Sequence, residues 1–217
     1  MPLKLPWLDL FNAEKTVVLA SRSPRRREIM TSMGINFTVV PTIHDDTNDP
    51  ADFDSMKTYV HDTALAKADE IWERCQKDEN LPNADIVISA DTVVVLDDQT
   101  LLNKPEDRAH AEKMMRLMSG KTHSTYTSVH VFWRTKGDSY DAQTITVETK
   151  VKFYDIDEEL LQAYLDTGDW ADKAGGYGIQ GAASIFIESI EGDYWNVVGL
   201  PKAPLFHLLQ AMAKKNP

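Results

Sequence analysis

Residues 16–34 read Thr16-Val17-Val18-Leu19-Ala20-Ser21-Arg22-Ser23-Pro24-Arg25-Arg26-Arg27-Glu28-Ile29-Met30-Thr31-Ser32-Met33-Gly34. Thr16 to Leu19 is a short, largely β-branched run and predicts a buried strand. Ser23 is a suitable helix N-cap, with Pro24 at the first helical position, where its fixed φ is already helical. The helix is expected to reach about Met33, with Gly34 just past its end. A strand that passes within a few residues into a helix is the unit of an α/β fold. It also leaves the first backbone N–H groups of that helix at the end of the strand, beside the positive pole of the helix dipole.

The pattern continues on both sides of later turns. Phe37–Val40 reads as a second strand, and Pro41–Asp54 as a loop holding five Asp and no Lys or Arg. A long helix is expected over Ser55–Gln76, with Tyr59, Thr63, Ala66 and Ile71 near helical period. Ile86–Ala90 is a strand, extended again over Thr92–Leu96, and Asp97–Thr100 is a hairpin turn. A helix over Glu106–Met118 stops at Ser119-Gly120. Two long strands, Ser124–Arg134 and Gln143–Phe153, meet at Lys136-Gly137-Asp138. A helix over Asp157–Asp166 closes at Gly168. The stretch Asp169–Gly181 is irregular, with four glycines in thirteen residues. Ile185–Ile190 is a strand, Gly192-Asp193 a turn, and Lys202–Lys214 a helix with Leu205, Leu208, Leu209 and Met212 on one face. Hairpin strands mixed with crossover helices predict an α/β fold with a mixed β-sheet and flanking helices. No linker divides the chain, so two lobes sharing one sheet are expected, with a cleft between them. Residues 1–15 read as an N-terminal extension and 16–217 as one domain. The extension carries Trp7, Leu8, Leu10 and Phe11, which pack either on the domain or on a second subunit.

Composition narrows the functional classes. The chain has 217 residues, 23 Lys plus Arg and 34 Asp plus Glu, a formal charge of −11. Such a chain is a poor binder of duplex nucleic acid or of anionic membrane surfaces, both of which need cations in bulk. Cys75 is the single cysteine, so no intrachain disulfide forms, which suits a reducing compartment. No run approaches the roughly 20 apolar residues of a membrane helix, and the first fifteen residues lack the pattern of a signal peptide. A cytoplasmic protein is expected.

Four stretches carry chemistry. Half of the eight arginines lie between positions 22 and 27. Together with Ser21 and Ser23 they make a phosphate site where strand becomes helix, since forked guanidiniums match phosphate oxygens. Ala90-Asp91-Thr92 ends an apolar strand, the place where α/β sheets hold ligands; a carboxylate there can take a proton from water or hold a divalent cation. Lys67 lies among small residues on a helix, and Lys104 precedes a proline. In Asp172–Gly181, glycines allow backbone to approach a ligand, and Gln180 offers an amide that can read a base edge. That spacing is not a dinucleotide fingerprint. The acidic loop with His44, Asp45 and Asp46 offers a second carboxylate. Each feature also has an ordinary explanation, as a cap, a turn residue, a surface lysine or a solvated loop. The six histidines show no metal-ligand spacing and read as structural or surface.

Taken in order, these stretches resemble the Maf family of nucleotide pyrophosphatases over about Thr16–Leu209. The family's Ser-x-Ser-Pro-Arg-Arg is matched by Ser21, Ser23, Pro24, Arg25 and Arg26, and its helical Lys by Lys67. Ser89–Thr92 stands for its Ala-Asp-Thr step and Lys104-Pro105 for its Lys-Pro. Its Leu-Ser-Gly-x-x-His step falls on Met118–His123. Asp172–Gly181 matches Asp-Lys-Ala-Gly-x-Tyr-Gly-Ile-Gln-Gly, and Val197–Pro201 matches the closing Val-Val-Gly-Leu-Pro. The resemblance implies two lobes around a nucleotide cleft. It implies hydrolysis of nucleoside triphosphates between the α and β phosphates with a divalent cation, Mg²⁺ or Mn²⁺, with Asp91 as base and Asp91 and Asp46 as metal ligands. Ser21, Ser23, Arg25, Arg26, Lys67, Thr92, Lys104, Lys173 and Gln180 are the implied substrate contacts. Arg25, Thr92 and Gln180 correspond to positions that track substrate choice, in the set of the dTTP/UTP branch. A homodimer is also implied. The chain departs from the family pattern at Asp46, where Glu is usual, at Arg22 between the two serines, and at Gly176, where Ala is frequent. The alternatives are a nucleotide-binding regulator of cell division without catalysis, and a pyrophosphatase preferring modified purine triphosphates.

Overall fold

A computed structural model of the chain describes residues 4–43, 48–136 and 139–215. Seven strands form one sheet: β1 (Val17–Ala20), β2 (Thr38–Val39), β3 (Ile86–Leu96), β4 (Thr100–Leu102), β5 (Thr122–Arg134), β6 (Tyr140–Phe153) and β7 (Ile187–Glu191). The order is β2-β1-β3-β5-β6-β7, with β4 paired to β3. β2, β1 and β3 are parallel, and β3, β5, β6 and β7 run alternately antiparallel. The sheet is therefore mixed, as the alternation of hairpins and crossovers requires. β4 folds back on β3 through Asp97 and Asp98, both at positive φ (53° and 57°), the backbone of a tight hairpin.

Among the described residues seven helices flank the sheet: α1 (Pro6–Glu14), α2 (Pro24–Ser32), α3 (Met56–Lys77), α4 (Arg108–Met118), α5 (Glu158–Asp166), α6 (Tyr194–Val198) and α7 (Lys202–Lys215). Their starts are written in the sequence. Ser23, Ser55, Asp107 and Asp157 each accept a hydrogen bond from a backbone N–H of the first helical turn, a cap that contributes about 1 kcal/mol. Two helices were not legible. α1 starts from Leu5, which offers no capping side chain, with Pro6 at its first position. α6 spans five residues, too few for a periodic signal, and Asp193, read as a turn residue, caps it. The last strand begins at Ile187 rather than Ile185, because Ala182–Phe186 coils into a 3₁₀ turn.

β3 organises the core. Ten of its eleven residues are buried, the remaining one being half-buried Thr92, so both of its faces are covered. Even-numbered residues face one layer. Ile86, Ile88 and Ala90 pack with α2, α7 and α1, and Val94 and Leu96 pack with α4 and α5. Odd-numbered residues face α3: Val87 packs with Ile71 and Trp72, and Val93 and Val95 pack with Tyr59 and Val60. Each large apolar side chain so buried stabilises the fold by about 1.5–3 kcal/mol. The apolar run is broken by Ser89 and then by the adjacent pair Asp91 and Thr92. Because strand side chains alternate, each residue of that pair separates two hydrophobic clusters on its own face. The two lobes are the two halves of the long strands on either side of this break.

α1 settles where the first residues pack. Leu8 and Phe11 are buried in the main core, Phe11 meets Trp133 edge-on at 5.8 Å, and Trp7 meets Phe206 at 5.2 Å. The helix lies on the domain itself. No helix among the described residues is long and apolar enough to cross a membrane.

Candidate active site

β3 has a continuous partner on one side only. β5 pairs with it from Ile86 to Leu96. On the other side β1 pairs with Ile86–Ser89 and β4 with Val94–Leu96. Between them Ala90–Val93 face no strand among the described residues, so the edge of the central strand is open there, where β1 ends. α2 leaves that end toward one face of the sheet to reach β2, and α3 returns to β3 along the other. Such a reversal at the carboxyl end of a parallel strand forms a crevice suited to a ligand.

On the α3 face, Lys67 Nζ donates to Asp91 Oδ1 at 2.7 Å. The pair bridges 24 residues, and its side chains are only 17% and 10% exposed. Ser89, two residues earlier on the same face, donates its hydroxyl to Ala64 O at 2.6 Å and fixes the strand against α3. Lys67 therefore holds and neutralises the carboxylate in this structure. A buried ion pair of this kind is costly to break by removing one partner.

On the opposite face, Arg26 gathers three elements. Its Nη2 donates to Thr92 Oγ1 at 3.0 Å, its Nη1 to Ser21 Oγ at 3.3 Å, and its Nε to Gly199 O at 2.8 Å. Thr92 Oγ1 and Thr127 Oγ1 share a hydrogen bond at 2.9 Å. Thr127 also donates to Asn196 O, and Asn196 Nδ2 donates to Thr125 O and Thr149 Oγ1. Thr127, Asn196 and the Gly199 carbonyl carry no signal in the sequence. Val197–Pro201 was noted as a motif, but its role through a main-chain oxygen has no side-chain signature. Arg26 is thus bound within the protein. Arg25, one residue earlier in the first turn of α2, is half-buried and makes no side-chain hydrogen bond among the described residues. Ser21 is buried, and its Oγ accepts from the Ser23 N–H; Ser23 Oγ caps Arg26 N. Arg22 turns away and donates to Thr42 O.

The glycine-rich segment crosses the even face. Gly175 N–H donates to Asn103 O at 3.1 Å, which ties the segment to the Lys104-Pro105 connection. Tyr177 joins the cluster around α4 and α5, whereas Ile179, two residues on, joins the cluster around α2 and α7. The strap Tyr177-Gly178-Ile179 therefore spans both lobes, and Gln180 follows it on the surface. Lys104 is exposed. Lys173 Nζ donates to the Asp169 carbonyl and, at 3.0 Å, to Asp169 Oδ1. Asp169 also accepts from Ala182 N at 3.1 Å and so closes both ends of the segment. The spacing of Asp169 and Lys173 by four residues is the sequence signal for this pair.

Gly175 shows why this segment needs glycine. Its φ is +70°, and a Cβ there would lie 3.1 Å from Val94 Cγ1 on β3. Gly175→Val is expected to lower stability by about 3 kcal/mol, through left-handed backbone and a clash with a fully packed strand. Urea unfolding would show it as a lower midpoint with an unchanged slope.

Asp46 lies outside the described residues. Among the described residues, no group of three or more His, Cys, Asp or Glu gathers as a metal site. His123 and His130 are buried, and burial pushes both imidazoles down to about 4, so they are neutral at pH 7.

Residues 16–212 match the family described as Maf-like protein. The chain belongs to the Maf-like family. This Maf-like chain is 39% identical to a dTTP/UTP pyrophosphatase of Thermoanaerobacter sp. (strain X514), over 89% of its own length and 95% of that protein. It is 40% identical to a dTTP/UTP pyrophosphatase of Pyrococcus abyssi, over 93% and 98% of the two chains. It is 42% identical to a human protein named probable bifunctional dTTP/UTP pyrophosphatase/methyltransferase; 92% of this chain is matched, but only 32% of the longer human protein. Among solved structures, a HAM1 protein of Coxiella burnetii superposes with a TM-score of 0.43 at 11% identity, over 91% and 99% of the two chains, too distant to argue from.

Proposed function

We propose that this Maf-like chain hydrolyses nucleoside triphosphates to the monophosphate and pyrophosphate, with dTTP and UTP as its preferred substrates. The observation that carries the reading is the open edge of β3. A buried carboxylate, Asp91, held by a lysine, stands next to Thr92, held by an arginine, where the strand lacks a partner. The relatives named dTTP/UTP pyrophosphatase support the choice of substrate.

In this reading the triphosphate lies along the first turn of α2, where backbone N–H groups and the helix dipole favour anions. Arg25 and Lys104 supply cations from opposite sides, and Lys173 and Ser23 add donors. Asp91 accepts a proton from a water as that water attacks the α-phosphorus. The α–β anhydride bond breaks and pyrophosphate leaves with the bonding electron pair. Chemistry of this kind needs positioning and charge neutralisation above all. Lys67 fixes the rotamer of the base, and Arg26 fixes Ser21, Thr92 and the Gly199 carbonyl around it. Gln180 reads the pyrimidine edge, and a site that hydrogen-bonds its base rejects analogues that leave it unpaired.

The donor set suits a hard cation. Mg²⁺ keeps several waters and leans on one or two carboxylates plus substrate phosphates, and Asp91 offers such a carboxylate. Mg²⁺ or Mn²⁺ held by Asp91, with Asp46 as the second proposed ligand, would supply neutralisation of phosphate charge. The proposal extends, on the family resemblance, to a homodimer in the cytoplasm that binds no nucleic acid and no membrane.

The test is a panel of triphosphates, with pyrophosphate release measured in the presence of Mg²⁺. UTP and dTTP should give the largest kcat/KM. Higher turnover of a modified purine triphosphate would replace the pyrimidine assignment, and no release from any triphosphate would leave only a binding role. In the same panel Arg25→Ala should raise KM for UTP about tenfold or more with a smaller change in kcat, as loss of uniform binding does. An unchanged KM takes Arg25 out of the pocket.

A further inference from the structure

We infer that His123 and Tyr177 are a positioning pair that sets the base selectivity of the site by fixing the strap that carries Gln180; this rests on the pyrophosphatase reading. His123 stands at the start of β5, opposite Leu96 on β3, and is 2% exposed. Its Nε2 lies 2.8 Å from the Tyr177 hydroxyl, in a hydrogen bond that joins residues 54 apart. The two rings meet edge-on at 5.3 Å, and both meet Phe153 edge-on, at 4.8 and 5.0 Å. The polar contact is thus enclosed in an aromatic box. His123 Nδ1 has no protein partner among the described residues, so the bond to Tyr177 is the single anchor of this imidazole.

The burial of a polar pair here has a location that explains it. Tyr177 sits in the cluster of one lobe and Ile179 in that of the other. Upstream, the segment is tied by Gly175 N–H to Asn103 O and by the Tyr164 hydroxyl to Gly176 O at 2.9 Å. Downstream, Ile179, the Asp169 tie and the turn bond from Gly181 N–H to Gly178 O hold it among the described residues. Tyr177 is the last residue of the strap joined to the sheet by a side-chain hydrogen bond before Gln180. An apolar pair of equal volume would fill the box equally well. What the hydrogen bond adds is direction, since it fixes the depth and rotation at which the strap leaves the sheet. Gln180, three residues on, inherits that setting.

Tyr177→Phe deletes one oxygen and keeps the packing. It should reduce the preference for UTP over CTP, expressed as the ratio of kcat/KM values, by about tenfold, with most of the change in KM for UTP. A purely structural role would lower the active fraction and scale both substrates equally, leaving the ratio untouched. His123→Leu should reproduce the loss of preference, and His123→Gln, which restores an amide donor, should recover part of it. In a Gln180→Ala background Tyr177→Phe should no longer change the ratio, because its effect runs through Gln180. If His123→Leu does not fold, the Tyr177→Phe comparison decides alone. A wild type active on UTP whose preference survives Tyr177→Phe overturns the positioning role and leaves the proposed activity standing. A wild type inactive on every triphosphate overturns both.

Discussion

Asp91→Asn lowers kcat for pyrophosphate release from UTP by about 10³-fold, within the range that a positioned general base supplies. The substitution keeps the shape of the side chain and changes its charge. Asp91 lies in β3, where it is 7% exposed and accepts from Lys67 Nζ. An amide oxygen can still accept that hydrogen bond, so the fold is expected to persist at reduced stability, with the Lys67 ammonium short of a counter-charge. The measurement is kcat on folded protein, with circular dichroism and a urea midpoint recorded beside it. A variant that retains most of its turnover would remove Asp91 from the base role. A fall in kcat that only tracks loss of folded protein would do the same.

The second large effect is structural. Arg26→Ala removes three guanidinium hydrogen bonds at once, to Ser21, Thr92 and Gly199. Hydrogen bonds from a charged donor are worth more than neutral ones, but their losses do not add fully, and a net cost of about 3 kcal/mol is expected. For a chain of this length that lowers the melting temperature by roughly 6–12 °C. Activity should fall as well, since the end of β1, the centre of β3 and the turn after α6 lose their common tie. Arg26→Lys should not repair it, because one ammonium cannot reach three acceptors held by a planar fork. The contrast with Arg25→Ala is the informative part: neighbouring arginines, one expected to move stability and the other KM. Equal melting temperatures for the Arg26→Ala variant and wild type would contradict the structural assignment.

That contrast also marks what the sequence could and could not convey. Arg25 and Arg26 are indistinguishable in a run of three arginines. Consecutive residues on a helix point about 100° apart, and the positions of Thr92 and Gly199, 66 and 173 residues away, decide which of them is bound. The elements themselves were legible where periodicity and caps agree, as at Ser23-Pro24, at Asp157, and over the long helix from Met56 to Lys77. α1 was missed because Leu5 is no cap, and α6 because a helix of five residues has no period. The strand from Ile86 to Leu96 was read in two pieces because the polar pair at Asp91 and Thr92 interrupts an apolar run. In the fold that interruption is where the proposed site lies, the kind of place where chemistry overrides the pattern. The sequence brought Lys67 and Asp91 forward as separate candidates, but pairing across 24 residues is a property of packing. Lys173, a proposed substrate contact, is held in place by Asp169 four residues back, a tie that the sequence alone does not display.

The three longest strands pass without a break from one half of the molecule to the other. They act as a stiff spine, and the halves cannot swing apart about a flexible joint as two-domain enzymes do. Accommodation of a guest must come from side chains and short connections along the rim, so recognition by this architecture resembles a rigid mould with a few movable fingers more than a closing jaw.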